Sequence, residues 1–422
     1  MYDPNLICPK CAKSVLEEQF LTERCGCGFR LRINFNYEEL HDLVTKEKLQ
    51  QRPFTHWRYR EFFPIRNYKN IVDLGGGGTP LLLSHRLGKE KFGLKNLFFK
   101  VETGNPSGSF KDRPISIGVS KGVELNAKVL TAASSGNAAA ALATYGARAG
   151  KKVVVFVPEH ATEGKLSQLA YLGATVIRVK EVVQGQDPSV TLFQKSYEAF
   201  GWIPSPSFGP FNPFQFEGTK SLGFELCEQF DWEPPDWVLL ATGSGGLLAG
   251  THRGFKEFEK LDFISSVPHH VAVQPEECAP IVKGVKRNSP PLELQDWKRT
   301  PHTVAGGLAD PHPWDADSAL AAIYESSGTA VAVSEESILR TQRWLAQYEG
   351  IFGEPSGTAG LAGLEALVEM GEIDRSDRVV IPITGVGFKD PKVLFQQISL
   401  PPPIFPRISE LQSLLNNNLK VS

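Results

Sequence analysis

No stretch of the 422-residue chain approaches the ~18 consecutive apolar residues that a membrane-spanning helix needs. An excess of charge of one sign is also missing. Forty-five Lys and Arg stand against 47 Asp and Glu, a formal net charge of −2, so no global field draws the chain to nucleic acid or to an anionic membrane. The opening residues, MYDPNLICPK, lack a basic segment followed by an apolar one. No secretory signal is visible there, and a cytoplasmic location is expected. With 41% hydrophobic and 22% charged residues the composition is that of a folded globular protein, not a disordered one. The length suggests two to three domains.

Cysteine is scarce and unevenly placed. Four of the six fall in the first 27 residues, as Cys8, Cys11, Cys25 and Cys27. The other two, Cys227 and Cys278, stand alone and are expected to be ordinary buried thiols. In a reducing compartment such a cluster points to a metal site before a disulfide framework. Cys8-Pro9-Lys10-Cys11 and Cys25-Gly26-Cys27 read as two tight turns joined by a stretch, Ser14 to Glu23, able to form a hairpin arm. Four thiolates so arranged suit one structural, tetrahedral zinc, and no His, Asp or Glu inside either turn suggests a catalytic water. A unit this short buries little core, so the metal would supply most of its folding energy.

Beyond Ile71 the pattern changes to short apolar runs alternating with helical stretches. Leu97–Val101, Val129–Ala132, Val153–Val157, Thr175–Val179, Trp237–Ala241, His270–Gln274, Ala330–Val333 and Arg378–Ile383 read as strands. Asn137–Ala149 and Gly164–Leu172 read as helices between them. This alternation predicts an α/β fold: two parallel-sheet α/β domains with a cleft between them, plus the zinc-ribbon-like unit. The expected boundaries are 1–45 for the cysteine-rich unit and 50–398 for the catalytic core. A smaller subdomain of roughly 115–205 is inserted in the larger one, and 399–422 forms a Pro-rich C-terminal arm.

Four glycine- and hydroxyl-rich loops fall at expected strand ends: 105–113, Ser134-Ser135-Gly136-Asn137, Thr242 to Leu247, and Thr384 to Asp390. Ligands of parallel α/β folds bind at such ends. The loop Gly243-Ser244-Gly245-Gly246 is the best phosphate cradle, because glycine lets the backbone approach an anion and the following helix offers free N–H groups. It has neither the GKS/T ending of a nucleotide-triphosphate loop nor a GxGxxG at the first βα turn, which disfavours ATP and dinucleotides. Lys111 sits among small and hydroxylic residues, where a lysine can lower its pKa and form a Schiff base with an aldehyde cofactor.

These loops resemble those of the pyridoxal-phosphate-dependent enzymes of the tryptophan-synthase-β fold (fold type II). Within that family the chain most resembles the threonine synthase-like members. Ser109-Phe110-Lys111-Asp112-Arg113, the 243–246 loop, Thr384-Gly385 and Lys389-Asp390 carry the likeness. So do the Leu74–Leu81 glycine run, Trp57 to Arg60, Asn212-Pro213, Glu217-Gly218, Lys220 and Glu354-Pro355. It extends over about residues 5 to 392. The resemblance implies a carbon–oxygen lyase acting by elimination or replacement, on O-phosphohomoserine or a relative. Lys111 would hold the cofactor and then act as base at the substrate Cα. Asn137 would meet its phenolic oxygen, Gly243, Ser244, Gly245, Gly246 and Leu247 its phosphate, and Thr384 its pyridine nitrogen. Ser134, Ser135 and Gln215 would lie near the substrate. The partner implied is a small amino acid, with no nucleic acid or membrane, and a homodimer is left open.

Several positions depart from the family pattern. Ala138, Ala139 and Ala140 stand where hydroxyl residues are usual, Gln215 where arginine is usual, Val386 for histidine and Leu247 for asparagine. Glutamine cannot replace arginine's bidentate charge on a phosphate dianion. Either the leaving-group pocket is altered, or Lys165 or Lys220 takes the phosphate instead. Two rival functions remain: a β-replacement or deaminating enzyme (cysteate synthase-like or serine/threonine dehydratase-like), and a zinc-ribbon binding protein on a degenerate scaffold.

Overall fold

The computed structural model describes residues 2–21, 31–161, 163–180, 188–391, 393, 398 and 400–418. Two units are distinguished, Met1–Lys389 and Asp390–Ser422. The second contains the helix Ile408–Asn418, preceded by a proline-rich stretch in which the Phe405 N–H donates to Glu410 Oε2 at 2.8 Å.

In the first unit, β1 (Tyr2–Ile7) pairs antiparallel with both β2 (Ser14–Leu16) and β3 (Arg32–Phe35) in a three-stranded sheet. Cys8 and Cys11 lie on the turn leaving β1, which is closed by the Ala12 N–H on the Cys8 carbonyl at 2.9 Å. Cys8 is buried and Cys11 exposed, while Cys25 and Cys27 lie outside the described residues.

The larger sheet has six strands in the order β12-β11-β10-β13-β5-β4. They are β4 (Leu81–Leu83), β5 (Leu97–Val101), β10 (Trp237–Ala241), β11 (His269–Pro275), β12 (Thr329–Val333) and β13 (Val379–Ile383). All pair in parallel except β4, which runs antiparallel to β5 at the edge. The expectation of purely parallel sheets therefore needs this correction. Leu82 and Leu83 stand half-exposed on that edge, so β4 carries no run of buried residues to announce it. All five residues of β13 are buried, as a central strand covered by helices on both faces requires. Its ladder with β10 covers only Val379 and Val380 and stops before Pro382, which has no N–H to donate.

Between β5 and β10 the chain builds a separate four-stranded parallel sheet, β8-β7-β6-β9. Its strands are β6 (Val129–Ala133), β7 (Lys152–Pro158), β8 (Thr175–Val179) and β9 (Ile203–Pro204). Every apolar run named from the sequence is a strand, within one or two residues. Strand β9 was not foreseen, because two residues ending in proline carry no periodicity. Among the described residues no helix is long and apolar enough to cross a membrane.

Four fully buried charges tie the larger sheet to the helices behind it. Arg113 forks onto Glu102 (Nε–Oε2 2.7 Å, Nη2–Oε1 2.7 Å) and onto Glu225 (Nη1–Oε1 2.6 Å, Nη2–Oε2 2.8 Å). Lys100, the one charged residue inside β5, reaches Glu225 Oε2 at 2.6 Å. Two cations face two anions, so the group is neutral as a whole. It fixes β5, the helix Asp112–Glu124 and the helix Ser221–Gln229 to one another, directly behind Lys111.

Candidate active site

A cavity of about 810 Å³ is lined by residues that follow β6, β10 and β13 and by the loop after β5. All four loops singled out from the sequence reach it.

Lys111 precedes the helix Asp112–Glu124. Its loop is held shut by Asp112, whose Oδ2 accepts the Ser107 N–H at 2.7 Å. It is stitched to the loop after β13: the Phe110 N–H donates to the Thr384 carbonyl at 2.9 Å and the Val386 N–H to the Gly108 carbonyl at 3.0 Å. Gly108 has φ +83°, and a Cβ there would stand 2.9 Å from Val386 Cγ1, so the turn requires glycine. Lys111 Nζ rests 4.5 Å from the Phe110 ring centroid. Burial pulls its pKa down to about 8, against the opposing pull of Asp315, Asp310 and Glu354. Modification of this lysine by an amine-reactive reagent in cofactor-free protein should therefore rise with pH with an inflection near 8. Peptide mapping across a pH series measures this, and an inflection near the ordinary lysine value of about 10.4 would contradict it.

Gly245, at φ +101°, precedes the 15-residue helix Gly246–Lys260. A Cβ on Gly245 would stand 2.7 Å from Ala319 Cβ, and one on Gly246 2.8 Å from Asp315 Oδ2. Bare backbone N–H groups at the start of a long helix are a ready anion cradle. Asp315 borders it: its Oδ1 accepts the Gly209 N–H at 3.1 Å and its backbone N–H donates to the Ser244 carbonyl at 3.0 Å.

Asn137 opens the helix Asn137–Arg148. Its Nδ2 donates to Glu354 Oε1 at 2.6 Å. Ser134, Ser135 and Gly136, just before it, line the cavity, as does Thr384, whose N–H donates to the Gly357 carbonyl at 3.2 Å. Gln215 is buried at the wall: its Nε2 donates to the Pro206 carbonyl, and its Oε1 lies where a Gly118 side chain would otherwise be. Lys220 does not reach the cavity. It is sealed in the core on the Phe62 carbonyl (2.8 Å), Glu217 (2.7 Å) and Glu257 (3.0 Å), so it is no phosphate ligand. The side chain of Lys165 lies outside the described residues.

Residues 72–385, a span that includes Lys111, Asn137, the 243–246 cradle and Thr384, match the family described as pyridoxal-phosphate dependent enzyme. The chain belongs to this family. It is 40% identical to a threonine synthase of Methanocaldococcus jannaschii over 385 residues, covering 91% of this chain and 92% of the relative. With a threonine synthase of Methanosarcina acetivorans it shares 35% identity over 419 residues, 99% of this chain and 100% of the relative. Among solved structures it is similar to a T.th. threonine deaminase, with TM-score 0.59, 24% identity and coverage of 77% of this chain and 94% of that one. That likeness shows the fold, and the α/β architecture agrees with it.

Several parts of this pyridoxal-phosphate enzyme's cavity were not assigned a role from the sequence, among them Glu354, the stretches 189–191 and 207–209, and Trp314. Another is the loop Gly306 to His312, hung on Ser356 through the Gly307 N–H (2.9 Å). This loop carries Asp310, whose pKa burial and the nearby Asp315 push up to about 7. The paired glycines at 306 and 307 were the available signal, but no strand run precedes them to mark the loop as part of a site.

Proposed function

We propose that the chain is a threonine synthase-like lyase that takes O-phosphohomoserine, or an amino acid closely related to it, to threonine or its analogue. The observation that carries this reading is the convergence of Lys111, the 243–246 cradle and the Asn137 helix start on one cavity. The donor set fits pyridoxal phosphate: a lysine of depressed pKa for its aldehyde, a side-chain-free helix start for its phosphate and an amide beside them. When bound, this cofactor supplies an electron sink for a carbanion at the substrate Cα.

Lys111 would hold the cofactor and, as a free amine, would take and return the proton at Cα, a task suited to an amine titrating near 8. Gly243, Ser244, Gly245, Gly246 and Leu247 would seat the phosphate. Asn137 would meet the phenolic oxygen. Thr384 would offer a neutral hydroxyl to the pyridine nitrogen, which favours elimination over transamination. Ser134 and Ser135, before the helix N-terminus, take the substrate carboxylate, and Gln215 lies on the substrate side of the wall. Spectral titration with O-phosphohomoserine, O-phosphoserine, serine and threonine tests the assignment. A response and product formation with O-phosphohomoserine supports it, and turnover of serine or threonine alone would replace it with the deaminating reading.

The same proposal divides the chain into a 1–45 unit, a 50–398 core with its 115–205 subdomain, and a 399–422 arm, acting in the cytoplasm. We further propose one structural zinc on Cys8, Cys11, Cys25 and Cys27. Among the described residues no group of three or more metal-ligating side chains comes together, so the support is the sequence spacing of Cys8 with Cys11 and of Cys25 with Cys27. Metal analysis of protein purified without chelators should give one zinc per chain, and removing it should leave the cofactor band unchanged. Well under one zinc per chain would contradict the proposal.

A further inference from the structure

Glu354 precedes the helix Pro355–Met370 with extended backbone (φ −71°, ψ 157°), yet its side chain caps no N–H of that helix. It is 8% exposed and lines the cavity. The carboxylate instead accepts the amide of Asn137, 217 positions away, at 2.6 Å. Its backbone N–H donates to the Gly385 carbonyl at 3.0 Å. A Cβ on Gly385 would overlap Glu354 Oε1 and stand 3.2 Å from Asn137 Nδ2, so the bonded pair lies flat against this glycine. Lys111 and Lys389 are among the cations that face the carboxylate. Asp310 and Asp315 also face Lys111, and Asp112 faces Lys389.

We propose that Glu354 is the positioning residue that sets how Asn137 meets the cofactor. A carboxylate only accepts, so it holds the amide nitrogen on its own side. The flipped amide would set oxygen against oxygen. The second N–H of Nδ2 is then kept as a donor, the polarity an anionic ring oxygen needs. A charge-assisted bond of this length is among the stronger ones in proteins. The proposal rests on the pyridoxal-phosphate reading of the site.

The test uses the full chain as wild type, Glu354→Gln and Glu354→Asp. Each is titrated with pyridoxal phosphate while the visible band is followed. In parallel, the pH dependence of Lys111 modification is mapped in cofactor-free protein. Glu354→Gln can donate as well as accept and no longer selects one amide orientation. It should bind the cofactor about tenfold more weakly or worse and shift the absorption maximum. Loss of a nearby negative charge should also lower the Lys111 inflection. Glu354→Asp keeps the charge but draws it back from Asn137, so its Lys111 inflection should stay near wild type while affinity falls to an intermediate value. Glutamine and aspartate variants with wild-type affinity, absorption maximum and Lys111 inflection would overturn the proposal. Absence of saturable binding in wild type would instead strike the pyridoxal-phosphate reading beneath it.

Discussion

Lys111→Ala is expected to lower turnover by about 10³-fold or more and to abolish the visible band of the bound cofactor. The loss combines the covalent attachment point with the general base, each of which alone carries orders of magnitude. The fold should survive. Among the described residues, the Lys111 side chain holds the loop only through its contact with the Phe110 ring, while the bonds to Thr384 and Val386 are main-chain ones. Weak cofactor binding through the Gly243 to Gly246 cradle should therefore persist. Steady-state kinetics and an absorption spectrum of the variant check this. A variant with the band intact and a rate within about tenfold of wild type would sink the assignment.

The second large effect concerns stability. Arg113→Met should cost about 3–5 kcal/mol, because it leaves the Glu102 and Glu225 carboxylates in the core with Lys100 as the one remaining cation of the group and only neutral donors such as Thr79, Asn105 and the Gly78 N–H besides. Denaturant unfolding measures it, and a loss below about 1 kcal/mol would show that the site accommodates the uncompensated charge. The wild type carries a related pH signature. Burial alone would raise both carboxyls, but Arg113 beside them overrides it and holds both below the usual carboxylate range. Groups with depressed folded values stabilise fully above their unfolded value, about 4.3 for glutamate, and lose that contribution as pH falls toward the folded values. Thermal stability should drop accordingly on acidification below about pH 4.

Much of this architecture was readable in the chain because buried strands leave unbroken apolar runs. Trp237–Ala241 and Val379–Ile383 announce themselves in this way. The strands that hid are only two or three residues long, Leu81–Leu83 at a sheet edge and Ile203–Pro204, and their partners are set by long-range packing rather than local pattern. The cavity loops were legible for a similar reason. Glycine and hydroxyl residues at strand ends are a local signature, and Lys111, Asn137 and Thr384 each stand inside one. Glu354 stands in none. Glu354-Pro355 carries part of the family likeness but no local pattern that assigns it a role, because its partner is Asn137, 217 positions away. The buried charges were hidden likewise, except that Lys100 inside the apolar run Leu97–Val101 was a visible anomaly. A lysine in a central strand needs a buried anion, and Glu225 is that anion.

The central claim is that Lys111 carries the cofactor in this cavity. The most direct measurement is borohydride reduction of the cofactor-loaded protein, followed by proteolysis and mass analysis of the labelled peptide. The account predicts one pyridoxyl adduct per chain, on Lys111. An adduct on Lys389, Lys220 or Lys165 with Lys111 unmodified, or no adduct in protein that shows the visible band, would contradict it.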